Sequence, residues 1–325
     1  MMRILSGIQP SGSTHVGNYL GAIKQWVSSQ NPDAYYCVVD LHALTLDIDP
    51  EELREKTLDC VATLLAAGID PEIATLFVQS NVAAHAKLNW LLECVATFGE
   101  LNRMTQFKEK SGRQKGYRVG LLTYPVLMAS DILLYDAQQV PVGDDQRQHL
   151  ELTRALAERF NARYGPTFTV PVGFVPHAAA RVMDLQEPSR KMSKSLSSPL
   201  GSLYLFDEPS EIEKKIKKAV TDTDGEMRFD PKKKPGLSNL LDIFASFSNE
   251  TPQDVARRYS RYGDFKSDLA ALVIESLAPI RTRYRELRSD PGQLSAIITL
   301  GAKKASASAE PVYERAAKAM GLIGG

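Results

Sequence analysis

Residues 3–27 read RILSGIQPSGSTHVGNYLGAIKQWV, and this stretch decides the fold. It opens with a short apolar run from Arg3 to Ile8, which predicts a β-strand. The run ends in the turn signal Gln9-Pro10-Ser11-Gly12. From Gly17 onward the apolar residues recur at helical spacing, at Leu20, Ile23 and Val27. The stretch therefore predicts a strand, a loop and a helix in that order.

The same alternation continues along the chain. Ala34 to Asp40 is aromatic and β-branched, and Ala74 to Gln79 predicts a third strand. Between them, Asp49-Pro50 is a plausible N-cap and first residue for a helix from Glu51 to Ala67, which ends at Gly68. Strands that alternate with helices predict a doubly wound α/β domain with a mostly parallel sheet. Its ligand is expected beyond the carboxyl ends of the strands.

The remaining pattern predicts a helical insertion and a helical C-terminal half. From Ala83 to Tyr135 the spacing is helical, with breaks at Lys108–Arg118 and at Tyr124-Pro125. The sheet resumes near Gln139–Val142, a helix covers Asp144–Arg163, and helical patterns dominate after Pro199. We therefore predict a catalytic domain over residues 1–190, with an insertion at about 83–125, and a helical domain over residues 191–325.

The composition matches a soluble globular protein, with 43% hydrophobic and 24% charged residues in 325. Lys plus Arg equals Asp plus Glu at 39 each, so the net charge neither supports nor excludes binding to RNA. Cys37, Cys60 and Cys94 are too far apart for a CxxC-type metal site. No apolar run is long enough to span a bilayer, so we expect a cytoplasmic protein with no membrane contact.

Two loops carry the chemistry. Small residues from Pro10 to Asn18 let backbone amides approach a polyphosphate at a helix N-terminus. The loop is neither a P-loop nor G-x-G-x-x-G, and its alternative reading is a tight turn with a surface histidine. In Lys191-Met192-Ser193-Lys194-Ser195, two lysines could neutralise a leaving pyrophosphate. The alternative for this second loop is a solvated basic linker.

Taken together, the two loops resemble the signatures of class I aminoacyl-tRNA synthetases. His15-Val16-Gly17-Asn18 departs from that family's His-Ile-Gly-His at the second and fourth positions. Further motifs in the same order resemble bacterial tryptophanyl-tRNA synthetases; they are residues 6–12 (SGIQPSG), 104–111 (MTQFKEKS), 124–133 (YPVLMASDIL) and 140–146 (VPVGDDQ). The resemblance implies a Rossmann-like catalytic domain of the HIGH superfamily. It implies activation of L-tryptophan with ATP and transfer of tryptophan to tRNA(Trp).

Tryptophan requires a flat apolar slot and one acceptor for its ring N–H. Asp131 lies on an otherwise apolar helix and is the natural acceptor, the role that the resemblance also gives it; a helix-surface carboxylate is the alternative. Val140 and Val142 would wall the slot. By resemblance, the α-ammonium would be held by Gln9, Tyr124 and Gln146, with His42 beside the substrate near the carboxylate. The predicted tryptophan site comprises Leu5, Gly7, Gln9, His42, Tyr124, Met128, Asp131, Val140, Val142 and Gln146.

The resemblance also implies an ATP site and its catalytic cations. The ATP site comprises Gln9, Pro10, Ser11, Gly17, Asn18, Gly143, Asp144, Asp145, Val182, Lys191, Met192, Ser193, Lys194 and Ser195. The candidates for the β- and γ-phosphates are Lys110, Lys191 and Lys194. We expect no metal ion held by the protein itself, because Mg²⁺ would be bound mainly by the phosphates of ATP.

Among partners we expect tRNA and a second copy of the chain, but no DNA. The runs Lys214–Lys218 and Lys232–Lys234 suit contacts with an anticodon arm, although solvated lysine-rich helices are common. By resemblance, residues 83–125 would form a homodimer. The alternatives are a tyrosyl-tRNA synthetase, a non-catalytic RNA-binding paralogue and a small-molecule nucleotidyltransferase. Retention of Gly17, Asn18, Lys191 and Lys194 favours an active enzyme.

Overall fold

A parallel sheet lies at the centre of the molecule. The structure is a computed structural model that describes residues 3–111, 116–141, 143, 146–174, 181–193 and 198–323, with the backbone alone for 109–111 and 174. Within these residues the sheet has five strands: β1 (Ile4–Ile8), β2 (Ala34–Val38), β3 (Thr75–Val78), β4 (Gln139–Pro141) and β5 (Val172–Phe174). All neighbours are parallel, in the order β3-β2-β1-β4-β5. The predicted doubly wound α/β domain is confirmed.

Helices fill the connections between the strands. Between β1 and β2, α1 (Val16–Asn18), a π-helical turn (Tyr19–Ile23) and α2 (Lys24–Ser29) are continuous. Between β2 and β3 lie α3 (Asp40–Ala43) and α4 (Pro50–Ala67). Between β3 and β4 lie a 3₁₀ turn (Gln79–Asn81), α5 (Ala84–Glu93), α6 (Phe98–Asn102), α7 (Thr105–Ser111) and α8 (Val119–Leu133), and the insertion predicted at about 83–125 falls within this segment. Helix α9 (Arg147–Tyr164) joins β4 to β5, and the later helices are α10 (Pro209–Lys218), α11 (Pro235–Ser248), α12 (Pro252–Arg257), α13 (Tyr262–Ser289) and α14 (Pro291–Ala319).

Helix α4 begins and ends where its sequence predicts. The side chain of Asp49 accepts hydrogen bonds from the backbone N–H groups of Glu51 and Glu52, and Pro50 occupies the first turn. Gly68 ends the helix with a φ of 114°, in the left-handed region that favours glycine. The break predicted at Tyr124-Pro125 is wrong, because α8 runs through Pro125. Pro125 is buried there, so packing of α8 against α5 and α9 outweighs the lost backbone hydrogen bond.

The C-terminal helix packs against the catalytic sheet. Residues 181–193 and 198–323 contribute no strand to the sheet, but α14 contacts both β3 and α5. A Cβ at Gly301 would lie 1.8 Å from the carbonyl oxygen of Leu76, so α14 crosses β3 with its backbone in direct contact. The boundary near residue 190 stays a prediction. Helix α14 belongs to the segment after that boundary, yet it packs against β3 and α5 of the segment before it.

The order of the strands defines where a ligand binds. From β1 the chain moves outward to β2 and β3 on one side, whereas β4 and β5 lie on the other. The crevice beyond the carboxyl ends of β1 and β4 is therefore the topological switch point. Gln9 follows β1 and Gly143 lies just beyond β4, so both predicted site residues reach this crevice. In the part of the chain that the structure describes, no helix has the length and apolar character needed to cross a bilayer.

Candidate active site

The loop after β1 is held in place by a reciprocal pair of hydrogen bonds. The backbone N–H of Asn18 donates to Nδ1 of His15, and the backbone N–H of His15 donates to Oδ1 of Asn18, both at 3.2 Å. Because the bond from the backbone N–H of His15 uses Oδ1 of Asn18, the side-chain amide N–H₂ is the group that Asn18 can offer to a nucleotide. His15 is 4% exposed, so the reading of this residue as a surface histidine is wrong.

The loop is also tied to the chain that follows the lysine signature. The backbone N–H of Val16 donates to the carbonyl of Leu203, at 2.8 Å, and that of Leu205 donates to the carbonyl of Thr14, at 3.0 Å. A Cβ at Gly17 would lie 3.0 Å from the His15 ring and 3.5 Å from Cβ of Val182. Glycine at this position therefore permits the close packing of the loop.

The lysine signature starts from a short antiparallel pairing. Met183 pairs with Lys191, and the backbone N–H of Met192 donates to the carbonyl of Val182, at 3.0 Å. Met192 is buried, whereas Lys191 is exposed. The hydroxyl of Ser202 donates to the carbonyl of Ser193, at 3.1 Å, and this bond holds the backbone of Ser193 in place.

A cleft of about 1180 Å³ separates the two loops. It brings together most of the predicted ATP site, and its lining includes Gln9, Pro10, Ser11, Gly17, Asn18, Gly143, Lys191, Met192 and Ser193. The sequence analysis missed Lys56 and Arg181, two further cations in this lining. Val182 packs against Gly17, behind the cleft. The other predicted positions, namely Val142, Asp144, Asp145, Lys194, Ser195 and the side chain of Lys110, lie outside the described residues.

Asp131 is buried on α8 and is surrounded by hydrogen-bond donors. It is 4% exposed, so the reading as a helix-surface carboxylate is wrong. Nε2 of His42 lies 2.9 Å from Oδ2, while Nε2 of Gln79 and Nδ1 of His85 lie 2.7 and 2.6 Å from Oδ1. Burial alone would raise the pKa of Asp131, but the hydrogen bonds from His42 and His85 outweigh it and lower the pKa to about 2. The carboxylate is therefore ionised and only accepts hydrogen bonds.

Among the other predicted tryptophan-site residues, Tyr124 is linked to Asp131 through the ring of His42. Asp131, His42, Tyr124 and Met128 are not among the residues that line the cleft. The Tyr124 hydroxyl is 2.9 Å from Oε1 of Gln106 and 2.7 Å from Nε2 of His149, and its ring is edge-on to His42. Burial raises the pKa of Tyr124 to about 12, so the hydroxyl stays protonated. Leu5 and Val140 are buried in one cluster with Met128 packed against it. Gly7 lines the cleft, and Gln146 immediately precedes α9.

Four polar partners of Asp131 and Tyr124 were not predicted as site residues; they are Gln79, His85, Gln106 and His149. Gln79 directly follows β3, as His42 closely follows β2, so the rule for the carboxyl ends of parallel strands could have found it. His85 and His149 lie inside helices and carry no signal of this kind.

The structure combines a cleft at the switch point of a parallel sheet, lined by both signature loops, with a buried carboxylate on α8. Comparisons with known proteins identify the family. Residues 1–278 match the family model of the class I tRNA synthetases (W and Y). The chain belongs to this family and is an aminoacyl-tRNA synthetase.

Individual relatives are similar over nearly their whole length. The chain is 52% identical to a tryptophan–tRNA ligase of Bacillus anthracis, with 99% of this chain and 98% of the relative covered. The crystal structure of tryptophanyl-tRNA synthetase from Mycoplasma pneumoniae has a TM-score of 0.89 at 36% identity, with 99% and 98% covered. That from Campylobacter jejuni, complexed with ADP and tryptophan, has a TM-score of 0.87 at 35% identity, with 99% and 100% covered.

Proposed function

We propose that the chain activates L-tryptophan with ATP and then loads it onto tRNA(Trp). The observation that carries this proposal is Asp131, a buried and ionised carboxylate that is hydrogen-bonded to His42 just after β2 of a class I fold. An indole ring has a single N–H donor, and an acceptor-only group is its complement. Tryptophan–tRNA ligase activity is therefore the function of the family that this site supports best.

In the first step the tryptophan carboxylate attacks the α-phosphate of ATP and pyrophosphate leaves. No protein nucleophile is required, so catalysis rests on positioning and on stabilisation of charge. The loop from Gln9 to Asn18 would hold the nucleotide through its backbone amides. Lys191 would neutralise the leaving pyrophosphate from the opposite wall of the cleft, with Lys110 and Lys194 as further candidates. In the second step a terminal ribose hydroxyl of the tRNA attacks the adenylate carbonyl, so the tryptophanyl ester forms, the acyl–phosphate bond breaks and AMP leaves.

Mg²⁺ would accompany ATP in this scheme. The ion prefers oxygen ligands and keeps several waters. The oxygens of the triphosphate would therefore supply most of its remaining ligands. Among the described residues no cluster of three or more histidine, cysteine or carboxylate side chains is placed to hold a metal ion. ATP and tRNA are both cytoplasmic, and we propose that the enzyme acts there.

The test of activation is ATP–pyrophosphate exchange with tryptophan, tyrosine and phenylalanine supplied separately. Exchange that depends on tryptophan alone supports the proposal. Exchange with tyrosine would assign the chain to the sister enzyme, and no exchange would refute catalysis. Lys191→Ala should lower kcat about 10²- to 10³-fold with little change in the KM for tryptophan, because it acts on the leaving group. Arg190→Ala is the matched control, since Arg190 pairs with Glu187 on the surface.

The tRNA would contact a smaller set of lysines than the sequence indicated. Lys215 is 5% exposed and bonds to Asp207, at 2.6 Å, and Lys234 is 2% exposed and bonds to Asp222 and Asp224. These two lysines hold the helical half together and are not available to phosphates. Lys217, Lys218, Lys232 and Lys233 are exposed and remain our candidates for tRNA contacts.

We also propose that the insertion forms a homodimer. Its described residues expose large apolar side chains that a monomer would leave in water; they include Trp90 (65%), Phe98 (69%), Tyr117 (48%) and Val119 (73%). Trp90→Glu should convert the dimer to a monomer in light scattering coupled to gel filtration. Ile73→Glu, an exposed apolar position outside the insertion, should leave the mass unchanged. A monomeric wild type would refute this proposal.

A further inference from the structure

Among the residues that the structure describes, the hydrogen bonds around Asp131 leave its carboxylate one acceptor position. A carboxylate has about four lone-pair sites, two on each oxygen. Gln79 and His85 both donate to Oδ1, and His42 donates to Oδ2. Oδ1 is therefore saturated by protein donors, and the remaining acceptor position lies on Oδ2 beside His42.

His85 is the most constrained of the three donors. It is fully buried, and Oγ of Ser130 donates to its backbone carbonyl, at 2.8 Å. Its Nε2 lies 2.8 Å from the hydroxyl of Tyr135, which is also fully buried. Because Asp131 only accepts, Nδ1 of His85 carries a hydrogen, and in the neutral ring the Tyr135 hydroxyl donates to Nε2. Both nitrogens are then paired, which fixes the tautomer.

Aromatic packing prevents the His85 ring from turning. The Phe77 and Tyr135 rings lie 5.8 and 5.6 Å from the His85 ring, and Tyr135 also packs on Tyr35, at 4.7 Å. Rotation of His85 would break two buried hydrogen bonds at once, and each unpaired buried group is costly. The ring therefore presents the same N–H to Oδ1 of Asp131 in every molecule.

We propose that His85 is a positioning residue that makes the enzyme select an amino acid with a ring N–H. With Gln79 it fills Oδ1, orients the carboxylate, and leaves a single acceptor on Oδ2 for the indole. This inference rests on the proposed activation of tryptophan. His85 does not itself touch the substrate in this scheme, so its effect appears in discrimination between amino acids rather than in the chemical step.

The test compares L-tryptophan with 3-benzothienyl-L-alanine, in which sulfur replaces the ring N–H. A site built to accept a hydrogen bond from the substrate's ring N–H rejects an analogue without that N–H by several powers of ten in kcat/KM. His85→Leu removes the N–H, so the preference for tryptophan should fall at least tenfold, mainly through KM for tryptophan. His85→Asn places an amide N–H near the position of Nδ1 and should keep most of the preference. The KM for ATP should stay within about threefold of wild type in both variants.

Leu156→Ala is the control for stability alone, because Leu156 is fully buried on α9 and bonds to no site residue. It should lower kcat/KM for both amino acids in the same proportion, if at all. An unchanged preference in folded His85→Leu overturns the proposal, as does His85→Asn behaving like His85→Leu. If His85→Leu does not fold, Tyr135→Phe takes its place, since it removes one hydroxyl. The preference of Tyr135→Phe for tryptophan over the analogue should fall a few-fold. An unchanged preference in this variant would refute the role of the fixed tautomer. Absence of tryptophan-dependent exchange in wild type would instead refute the proposed function.

Discussion

Asp131→Asn should abolish most tryptophan activation while leaving the fold nearly intact. Asparagine has the shape of aspartate but carries one acceptor and one N–H₂ donor. Gln79 and His85 are both donors held by buried contacts, so the amide oxygen should face them in place of Oδ1. The amide N–H₂ then takes the place of Oδ2. His42, which is the more exposed of the two histidines, can change tautomer to accept from it.

The substitution thus turns the one remaining acceptor into a donor that faces the indole N–H. Loss of a charge-assisted hydrogen bond costs about 1.5–3 kcal/mol, and an unpaired buried donor costs about 1–3 kcal/mol more. A combined loss of roughly 3–5 kcal/mol corresponds to about 10²- to 10⁴-fold in kcat/KM for tryptophan, at 1.36 kcal/mol per factor of ten.

The assay is ATP–pyrophosphate exchange at varied tryptophan, with thermal unfolding measured on the same preparations. Asp136→Asn is the matched control, because it makes the same change at a carboxylate five positions along the chain that pairs with Arg315 outside the site. A folded Asp131→Asn enzyme with kcat/KM within tenfold of wild type would refute the reasoning, since Asp131 would then not be the acceptor of the indole.

Three further predictions concern stability and tRNA. The folded-state pKa of Asp131 is depressed, so its contribution of about 2 kcal/mol to the free energy of unfolding is present above pH 4 and lost as pH falls toward 2. The free energies measured by urea unfolding of wild type and Asp131→Asn should therefore converge near pH 2. Gly301→Ala should cost about 1–3 kcal/mol in urea unfolding, because its Cβ would overlap the backbone of β3, and an unchanged midpoint would contradict this contact. Lys217→Ala should weaken tRNA binding and reduce its salt slope by about one without changing the melting temperature. Lys215→Ala should instead lower the melting temperature, because Asp207 loses its only cationic partner among the described residues and keeps the hydrogen bond from the backbone N–H of Tyr204; the opposite pattern would reverse their assignment.

Local signals account for what the sequence predicted correctly. The strand, loop and helix at the start of the chain, and both ends of α4, depend on turn residues, caps and periodicity within a few positions. The cleft followed from one topological rule, that ligands bind beyond the carboxyl ends of parallel strands. Strand β5 was missed because its three residues, Val172–Phe174, are too few to show a period.

What the sequence did not predict depends on contacts between distant elements. His85 reaches Asp131 because α5 packs on α8, and that packing has no signature near either residue. Lys215 looked like part of a basic surface, yet it shares the buried face of α10 with Ile212 and Ile216. Its position three residues after one isoleucine and one before the next marks that face, so helical spacing could have set it apart from Lys217. For Lys234, which is buried by its ion pairs, the sequence offers no comparable signal.

The choice of a carboxylate for the indole follows from what the neutral alternatives would do. A buried charge is expensive, and an amide or a hydroxyl would accept a hydrogen bond at lower cost. Each of them also carries a donor, however, and could rearrange to satisfy a ligand with an acceptor at the same place. An ionised carboxylate cannot, and the hydrogen bonds from His42 and His85 keep the pKa of Asp131 near 2, far below physiological pH, although burial alone would raise it. The donors that offset the cost of burial therefore also keep the group acceptor-only, and the discrimination that we propose in favour of a ring N–H depends on that property.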